Sequence, residues 1–417
     1  MVIASRYNLS AQEPGDSNKV PQKSADPIVI VDGARTPMGG FQGELSALSS
    51  PELGAASIAG ALTRAGVSSD EVDEVIMGCV LPAGLGQAPA RQAALGAGLQ
   101  LDTACTTVNK MCGSGMKALM IAHDALLAGS GSVIVAGGFE SMSNAPYLLP
   151  KARKGLRMGH SDLKDHMFLD GLEDAYDAGK LMGHFAELTA THYQFSREAQ
   201  DGFAVSSLER ALQAIKSGAF TREIEPVTIE ARAGAKIVTT DEQPPAANLD
   251  RIPKLRPAFA KDGTVTAANA SSISDGAAAL VLMHESDAVR RGLTPRARIL
   301  AHATHAQAPQ WFTTAPVHAM QKLNDKLGMR IRDIDLFEIN EAFAVVTMAA
   351  MKELDLPHEK VNVHGGACAL GHPIGASGAR IVVTLMNALE THSLSTGIAS
   401  LCIGGGEATA VAIERLK

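Results

Sequence analysis

Aromatic side chains, cysteines and excess positive charge are all scarce in this 417-residue sequence. Aromatic residues make up 4% of the chain, so alanine, glycine and aliphatic side chains must fill the core. The formal net charge of −7 argues against a nucleic-acid-binding protein and against a surface for anionic membranes. No apolar run reaches the roughly 18 residues that a membrane span needs, so we expect none.

The cysteines are few and widely spaced, at positions 79, 105, 112, 368 and 402. They form no CxxC pair and the chain has no HExxH motif, so metal-ligand spacing is absent from the sequence. Scattered cysteines in odd number are typical of a reducing compartment. Residues 1–26 are polar, without the apolar core of a signal peptide, and Glu13 and Asp16 argue against a transit peptide. We expect a disordered N-terminal extension and a cytoplasmic protein.

The last third of the chain repeats the pattern of the first third. Strand-like and helix-like segments follow one another in the same order in both, at lengths unlike those of solenoid repeats. This duplication predicts two copies of one mixed α/β half, packed in layers. The corresponding segments are 71–79 with 333–341, 113–117 and its helix with 375–383, and 133–138 with 398–405.

Composition predicts where these halves begin and end. We expect an N-terminal half over residues 27–141, completed by about 272–294, and a C-terminal half over 295–417. Residues 142–271 are more polar and less regular, and their clearest helical part, Glu187–Lys216, is interrupted around Ser196. They retain enough apolar side chains to pack, so we expect an inserted, loop-rich subdomain.

Cys112 is the first candidate nucleophile. It follows a β-branched pair and a turn, and it precedes a helix-like run that begins near Gly113-Ser114-Gly115. A cysteine at a helix N-terminus is exposed to free backbone N–H groups and to the helix dipole, which favour the thiolate. On this stretch alone, a buried structural cysteine remains an equally open alternative.

Three further candidates lie in the second half: Asn340 at a strand end, His372 in a turn before the second glycine-rich helix, and Cys402 before three glycines. His372 could accept the proton of a thiol, and Cys402 could act as a general acid or base. The glycines, among them Gly404, free backbone N–H groups for an oxyanion. Each residue alone has a structural alternative, but their occurrence at matching ends of repeated halves favours catalysis.

Four separated motifs, in this order, resemble the thiolase family: Asn109–Gly115, Asn340–Ala344, Gly371–Gly375 and Cys402–Gly406. Supporting matches occur at 34–37, 86–92, 138–143 and between 256 and 271, so the resemblance covers about residues 28–417. It implies a duplicated thiolase fold, layered αβαβα with mixed five-stranded sheets. It also implies that the inserted loop subdomain binds coenzyme A (CoA) and makes the contact of a homotetramer, a dimer of dimers.

The resemblance assigns a role to each candidate. Cys112 would be acylated by a thioester after activation by His372, and Cys402 would move the proton of the second acetyl-CoA. Asn340, through a water, and His372 would form one oxyanion hole, and the N–H groups of Cys112 and Gly404 the other. No metal or cofactor is implied beyond CoA thioesters as substrates. The residues implied to bind CoA or the acyl group are Ser271, Met182, Leu181, Ala270 and Phe343.

Some positions depart from the family pattern. Leu181-Met182-Gly183 stands where short-chain thiolases often have His-Met-Gly, and Gln243-Pro244-Pro245 occupies the region of a frequent basic residue. His364 replaces a frequent asparagine. The first two departures bear on acyl-chain preference and on CoA-phosphate contacts, and none touches the catalytic positions.

We expect an acyltransferase of the acetyl-CoA C-acetyltransferase type, which condenses two acetyl-CoA molecules to acetoacetyl-CoA. A 3-ketoacyl-CoA thiolase of broader chain length, serving fatty-acid or aromatic degradation, is the close alternative. A decarboxylating enzyme of ketoacyl-synthase type is a further one, although such enzymes typically pair their cysteine with two histidines. A non-catalytic CoA- or lipid-binding protein of thiolase fold is the alternative from another class.

Overall fold

A computed structural model of the protein describes residues 26–230 and 234–416. The extension predicted for residues 1–26 lies, apart from Asp26, outside the described residues. In chain order the strands are β1 (Ile28–Arg35), β2 (Gly39–Gly40), β3 (Glu74–Gly78), β4 (Ala104–Val108), β5 (Val133–Ser141), β6 (Tyr147–Leu148), β7 (Lys164–Asp165), β8 (Val227–Ile229), β9 (Lys236–Val238), β10 (Ser274–His284), β11 (Ala297–Ala306), β12 (Leu336–Ile339), β13 (Thr396–Ile403) and β14 (Glu407–Arg415). The helices are α1 (Ser50–Ala65), α2 (Pro89–Gly96), α3 (Ser114–Leu127), α4 (Met182–Tyr193), α5 (Arg197–Ser217), α6 (Gln243–Ala246), α7 (Glu285–Arg290), α8 (Ala315–Leu327), α9 (Ala344–Leu354), α10 (Ala367–Leu370) and α11 (Ser377–Thr391).

One continuous mixed sheet runs through the molecule in the order β4-β3-β5-β10-β1-β11-β14-β13-β12, and the short β2 pairs with β10. At its centre, β1 and β11 are joined by the pairs Val29–Arg298 and Ile30–Ala297. This short joint divides the sheet into a first part, from β4 to β1, and a second part, from β11 to β12.

The two parts have the same topology. In the first, β3 runs parallel to β4 and β5, whereas β5, β10 and β1 are antiparallel neighbours. In the second, β12 runs parallel to β13, whereas β13, β14 and β11 are antiparallel neighbours. The predicted duplication of a mixed α/β half is therefore confirmed.

The second part differs at the edge where the first part has β4. There the pairing with β12 is reduced to one parallel bridge between Phe337 and Val361. The next residue, Asn362, has a φ of +49° and turns the chain away. Its side-chain amide accepts from Ile339 N at 2.8 Å and donates to Ile339 O at 2.9 Å, which replaces the missing backbone partners. The two predicted five-stranded sheets are thus joined into one sheet. In its second part, the side chain of Asn362 takes the place of the fifth strand.

Helices α3 and α11 lie between the two parts of the sheet. α3 packs on β3 and β5, and α11 packs on β10, β12 and β13. Their buried side chains, such as Leu119 and Leu385, form the central core with residues from both parts. α1 and α2 cover the outer face of the first part, and α8 covers that of the second. The predicted αβαβα layering is confirmed.

Glycines let α3 and α11 approach backbone to backbone. A Cβ on Gly115 would lie 2.9 Å from the amide nitrogen of Ala379 and 3.0 Å from the carbonyl oxygen of Gly375. Gly378, in the first turn of α11, faces the backbone of Met116 in the same way. The N-terminal ends of both helices therefore meet between the two copies, where the loops that precede them can share one space.

The chain leaves the sheet after β5 and returns to it at β10, so residues 142–273 are an excursion between two paired strands. This excursion holds α4, α5, α6 and the two-stranded ladders β6–β7 and β8–β9. The helix interruption predicted around Ser196 is confirmed, because the Ser196 hydroxyl caps α5 by accepting from Ala199 N at 3.1 Å. The domain limits predicted from composition stay a prediction.

A buried arginine ties this excursion to the sheet. Arg35, at the end of β1, is fully buried and donates from Nε to Glu223 at 2.6 Å. Its Nη1 and Nη2 donate to the two oxygens of Asp241 at 2.6 and 2.9 Å. One planar guanidinium thus pairs with two buried carboxylates, and burial of the arginine without these partners would be costly.

None of the helices in the described residues combines the length and the apolar character needed to cross a lipid bilayer. All five cysteines lie within these residues and are free thiols.

We predict that Gly115→Ala lowers the free energy of unfolding by about 1–3 kcal/mol, because the methyl group would force apart two backbones in contact. Gly202→Ala is the matched control, since Gly202 is also helical but a Cβ there would meet nothing within 4 Å. That control should be stabilising by roughly 0.5–1 kcal/mol. Urea unfolding of both variants tests the contact, and a Gly115→Ala protein as stable as Gly202→Ala would contradict it.

Candidate active site

Cys112 lies in the turn between β4 and α3, where the sequence predicts it. Met111 has a φ of +48°, a left-handed conformation that reverses the chain before the helix. The side chain of Asn109 accepts from Met111 N at 2.9 Å, and the hydroxyl of Ser114 donates to Met111 O at 2.6 Å. These bonds hold the thiol at the first turn of α3.

His372 lies in the corresponding turn of the second copy, between α10 and α11. Its ring Nδ1 is 2.5 Å from the hydroxyl oxygen of Ser377, which donates its own proton to Pro373 O at 3.0 Å. With its proton on Pro373 O, the hydroxyl oxygen can accept from Nδ1, and we assign the ring proton to Nδ1 on this hydrogen-bond network. The unprotonated Nε2 is left to accept, and it faces the amide nitrogen of Asn340 at 3.5 Å.

Asn340 follows β12 and is almost completely buried. Its Oδ1 faces Nη2 of the buried Arg380 at 3.5 Å, which favours the orientation that presents the amide nitrogen to His372. Arg380 is itself paired with the buried Glu338 at 3.8 Å. A chain of buried polar groups thus runs from the central helix α11 to the imidazole.

Cys402 lies near the end of β13, and Gly404 directly follows this strand. After them, Gly405 and Gly406 have φ values of +92° and +89°, conformations that favour glycine and let the chain turn at once into β14. The backbone N–H of Gly404 lies near enough to the Cys112 sulfur to lower the pKa of that thiol. Cys402 is fully buried, and its thiol is close enough to Cys112 for a charge on one to disfavour a charge on the other.

These groups meet at a cavity of about 340 Å³. Its walls are mainly apolar and come from both copies and from the excursion between β5 and β10. Asn340 and Cys402 lie behind these walls, Asn340 against His372 and Cys402 in the apolar cluster of Met182 and Phe343. The predicted site residues that line the cavity are Cys112, His372, Gly404, Leu181, Met182, Ala270, Ser271 and Phe343.

Burial controls the protonation of the site. Burial raises the pKa of the Cys112 thiol to about 11, although N–H groups of Gly404 and of Cys112 itself act in the opposite direction. Burial, with the charge of Arg380, lowers the pKa of His372 to about 3. It also raises the pKa of Cys402 well above the ordinary value. The expectation of a stabilised Cys112 thiolate is wrong for the free protein, because desolvation outweighs the helix N-terminus.

Sequence reasoning assigned no chemistry to several residues that shape the site. Ser377 sets the tautomer of His372, and Arg380 orients Asn340. Glu140, at the end of the wholly buried β5, accepts from the N–H groups of Val80, Leu81 and Gly375 at 2.9, 3.1 and 3.0 Å. It thus links loops of the two copies, and burial raises its pKa to about 7. Its sequence signals were a carboxylate on an otherwise apolar strand and its place in the segment 138–143, which resembles the thiolase pattern.

Two family models match the chain in succession, the N-terminal domain of thiolase over residues 28–286 and the C-terminal domain over residues 293–415. The chain belongs to the thiolase family. Among its relatives, acetyl-CoA acetyltransferase 2 of Arabidopsis thaliana is 51% identical, over 93% of this thiolase and 97% of that protein. The acetyl-CoA acetyltransferase of Escherichia coli is 51% identical, over 93% and 99%.

Solved structures agree with this thiolase in fold. The crystal structure of the Bacillus anthracis acetyl-CoA acetyltransferase superposes with a TM-score of 0.92 at 42% identity, covering 94% of this chain and 99% of that one. A thiolase from Ascaris suum in complex with coenzyme A superposes with a TM-score of 0.88 at 42% identity, covering 94% and 100%.

We predict that alkylation of Cys112 by iodoacetamide in the free thiolase is slow at neutral pH and accelerates up to about pH 11. A thiol with a raised pKa is protonated below that value, and its reactive thiolate fraction then grows about tenfold per pH unit. Mass spectrometry of the modified peptide from pH 7 to 11 measures the rate. A rate already constant above pH 8 would indicate a thiolate–imidazolium pair and contradict the burial argument.

Proposed function

We propose that this thiolase is an acetyl-CoA C-acetyltransferase, which condenses two acetyl-CoA molecules to acetoacetyl-CoA and free CoA and catalyses the reverse cleavage. One observation carries the proposal: Cys112 and His372 line one cavity, and the second thiol, that of Cys402, is packed in the apolar cluster of Met182 and Phe343 behind its wall. The acetyl-CoA acetyltransferases to which the chain is similar support the substrate assignment.

In the first half-reaction, we propose, the Cys112 sulfur attacks the thioester carbonyl of acetyl-CoA. His372 Nε2 takes the thiol proton and passes it to the CoA sulfur as the carbon–sulfur bond to CoA breaks. The product is acetyl-Cys112 with neutral His372 and free CoA. The thiol pKa of about 11 in the free protein means that proton transfer accompanies attack and that substrate is needed to drive it.

In the second half-reaction, we propose, the Cys402 thiol passes its proton to His372 Nε2 as its sulfur takes a proton from the methyl group of the second acetyl-CoA. The two transfers are coupled because the raised pKa of Cys402 and the lowered pKa of His372 disfavour a separate first step. The carbanion attacks the acetyl carbonyl, forming the carbon–carbon bond and breaking the bond to Cys112. His372 returns its proton to the departing Cys112 sulfur. Both thiols are thereby restored, and no oxidant, reductant or further reactant enters the balance.

Developing negative charge on the carbonyl oxygens needs fixed donors. The N–H groups of Gly404 and of Cys112 itself both lower the pKa of the Cys112 thiol, and together they are suited to one oxyanion. Asn340 and His372, whose nitrogens are 3.5 Å apart, are suited to the other, the amide acting through a water. Both pairs are held by buried backbone or buried polar partners, so little reorganisation is needed during reaction.

The apolar walls of the cavity suit the pantetheine arm and the acyl group of a CoA thioester. We assign this contact to Leu181, Met182, Ala270, Ser271 and Phe343. The coenzyme A bound by the Ascaris suum thiolase supports CoA as the carrier. We also propose a homotetramer, supported by exposed apolar side chains in the excursion after β5. These side chains are Tyr147, Leu149, Leu156, Met158 and Leu163.

Chain length tests the proposed activity against the broader 3-ketoacyl-CoA alternative. Acetoacetyl-CoA should be cleaved with a kcat/KM at least about tenfold above that of 3-ketohexanoyl-CoA, because each extra methylene must find room among the side chains that line the cavity. Steady-state thiolysis of both substrates with the same preparation decides. A preference for the six-carbon substrate would overturn the short-chain assignment.

Substitution of each thiol tests the division of roles. Cys112→Ser should lower thiolysis at least about 1,000-fold and abolish covalent labelling by acetyl-CoA, since the nucleophile is lost. Cys402→Ala should retain one labelled acetyl group per chain but lose condensation by at least about 100-fold, since only the proton transfer is lost.

Cys105→Ala, in β4 and outside the cavity, is the matched control and should retain both steps. Intact-protein mass spectrometry measures labelling, and acetoacetyl-CoA absorbance measures turnover. Condensation that survives in Cys402→Ala would mean that another group provides the base.

A further inference from the structure

A second cluster of ionisable side chains lies at the opposite end of α3 from Cys112. His123 and Asp124 occupy the last turns of this helix, and His302 projects from β11, the first strand of the second copy. Nδ1 of His123 is 3.0 Å from Oδ1 of Asp124, and Nε2 of His302 is 2.9 Å from the same oxygen. The three potential ligand atoms lie within 4.8 Å of one another.

The surroundings combine rigid imidazoles with an open side. The rings of His123 and His302 pack edge to face with centroids 5.0 Å apart. Their side chains are 14% and 16% exposed, whereas that of Asp124 is 58% exposed. Two nitrogens are thus fixed by packing, while the carboxylate and the remaining coordination positions can be reached from solvent.

We propose that His123, Asp124 and His302 bind one divalent transition-metal ion of the zinc type, which joins the first copy of the fold to the second. Two imidazoles and one carboxylate suit Zn²⁺ and Co²⁺, whereas Mg²⁺ and Ca²⁺ prefer sites built from oxygen ligands. Water would complete the coordination on the exposed side. The site is separate from the catalytic cavity and does not depend on the proposed function.

Binding requires only local adjustment. Tetrahedral bonds of about 2.0–2.1 Å place ligand nitrogens roughly 3.4 Å apart. Side-chain rotations that move the three potential ligand atoms by about an ångström would bring them to this spacing. Each histidine turns a lone pair to the ion by moving its proton to its other ring nitrogen. Lys326 opposes the bound charge, and its Nζ donates to the backbone carbonyl of His302 at 2.8 Å rather than to the ring.

The test uses the full-length protein, dialysed against a chelator and then titrated with Zn²⁺ and, in parallel, with Co²⁺. The wild type should bind one more equivalent than His302→Gln or Asp124→Asn, whose affinity for this equivalent should fall at least about tenfold. His160→Gln, in an exposed loop, is the matched control and should behave as the wild type.

The thermal midpoint gives a second readout. Saturating Zn²⁺ should raise it in the wild type and in His160→Gln, and not in His302→Gln or Asp124→Asn. The Co²⁺ equivalent lost in the variants should absorb visible light without a sulfur charge-transfer band, which separates it from binding at the active-site thiols.

Circular dichroism of the chelated variants verifies folding, and Asp124→Asn decides if His302→Gln fails to fold. Equal stoichiometry and equal Zn²⁺ shifts in wild type and variants, or an equal shift with Mg²⁺, would overturn the proposal.

Discussion

Backbone contact between α3 and α11 is the constraint on which the rest of the structure depends. Gly115 and Gly378 remove the side chains that would separate the helices, and the distances leave no room for a methyl group at Gly115. Because the helices touch at their first turns, the loops that precede them open into one space. This contact lets Cys112 and His372 line the same cavity, although they are 260 positions apart in the sequence.

Much of this arrangement could be predicted from the sequence, because it depends on local patterns that occur twice. The strand and helix order of both copies, the place of Cys112 before α3 and the break at Ser196 all leave signals within a few residues. The chemical candidates were recognisable because the cysteines and the histidine stood beside glycine turns and the asparagine stood at the end of a strand. Eight of the ten predicted site residues line one cavity, and the other two lie directly behind its walls.

What could not be predicted depends on contacts between distant segments. The helix N-terminus indicated a thiolate, but the apolar walls that raise the Cys112 pKa come from segments more than 50 residues away in sequence. The tautomer of His372 depends on Ser377, which stood out in the sequence only as part of a pattern that starts a helix. The continuous sheet was hidden for the same reason, since β1 and β11 are joined by two residue pairs. The histidine–aspartate cluster likewise unites His123 and Asp124 with a residue 178 positions beyond Asp124, so no spacing rule could reveal it.

The matching topology of the two sheet parts has an evolutionary consequence. In an assembly of two identical subunits, every substitution appears twice. A thiol introduced in one loop would therefore also be present in the equivalent loop of the other subunit. Fusion of the copies into one polypeptide removes that symmetry. The two corresponding loops can then differ, so that one carries the nucleophilic thiol of Cys112 and the other carries the imidazole of His372.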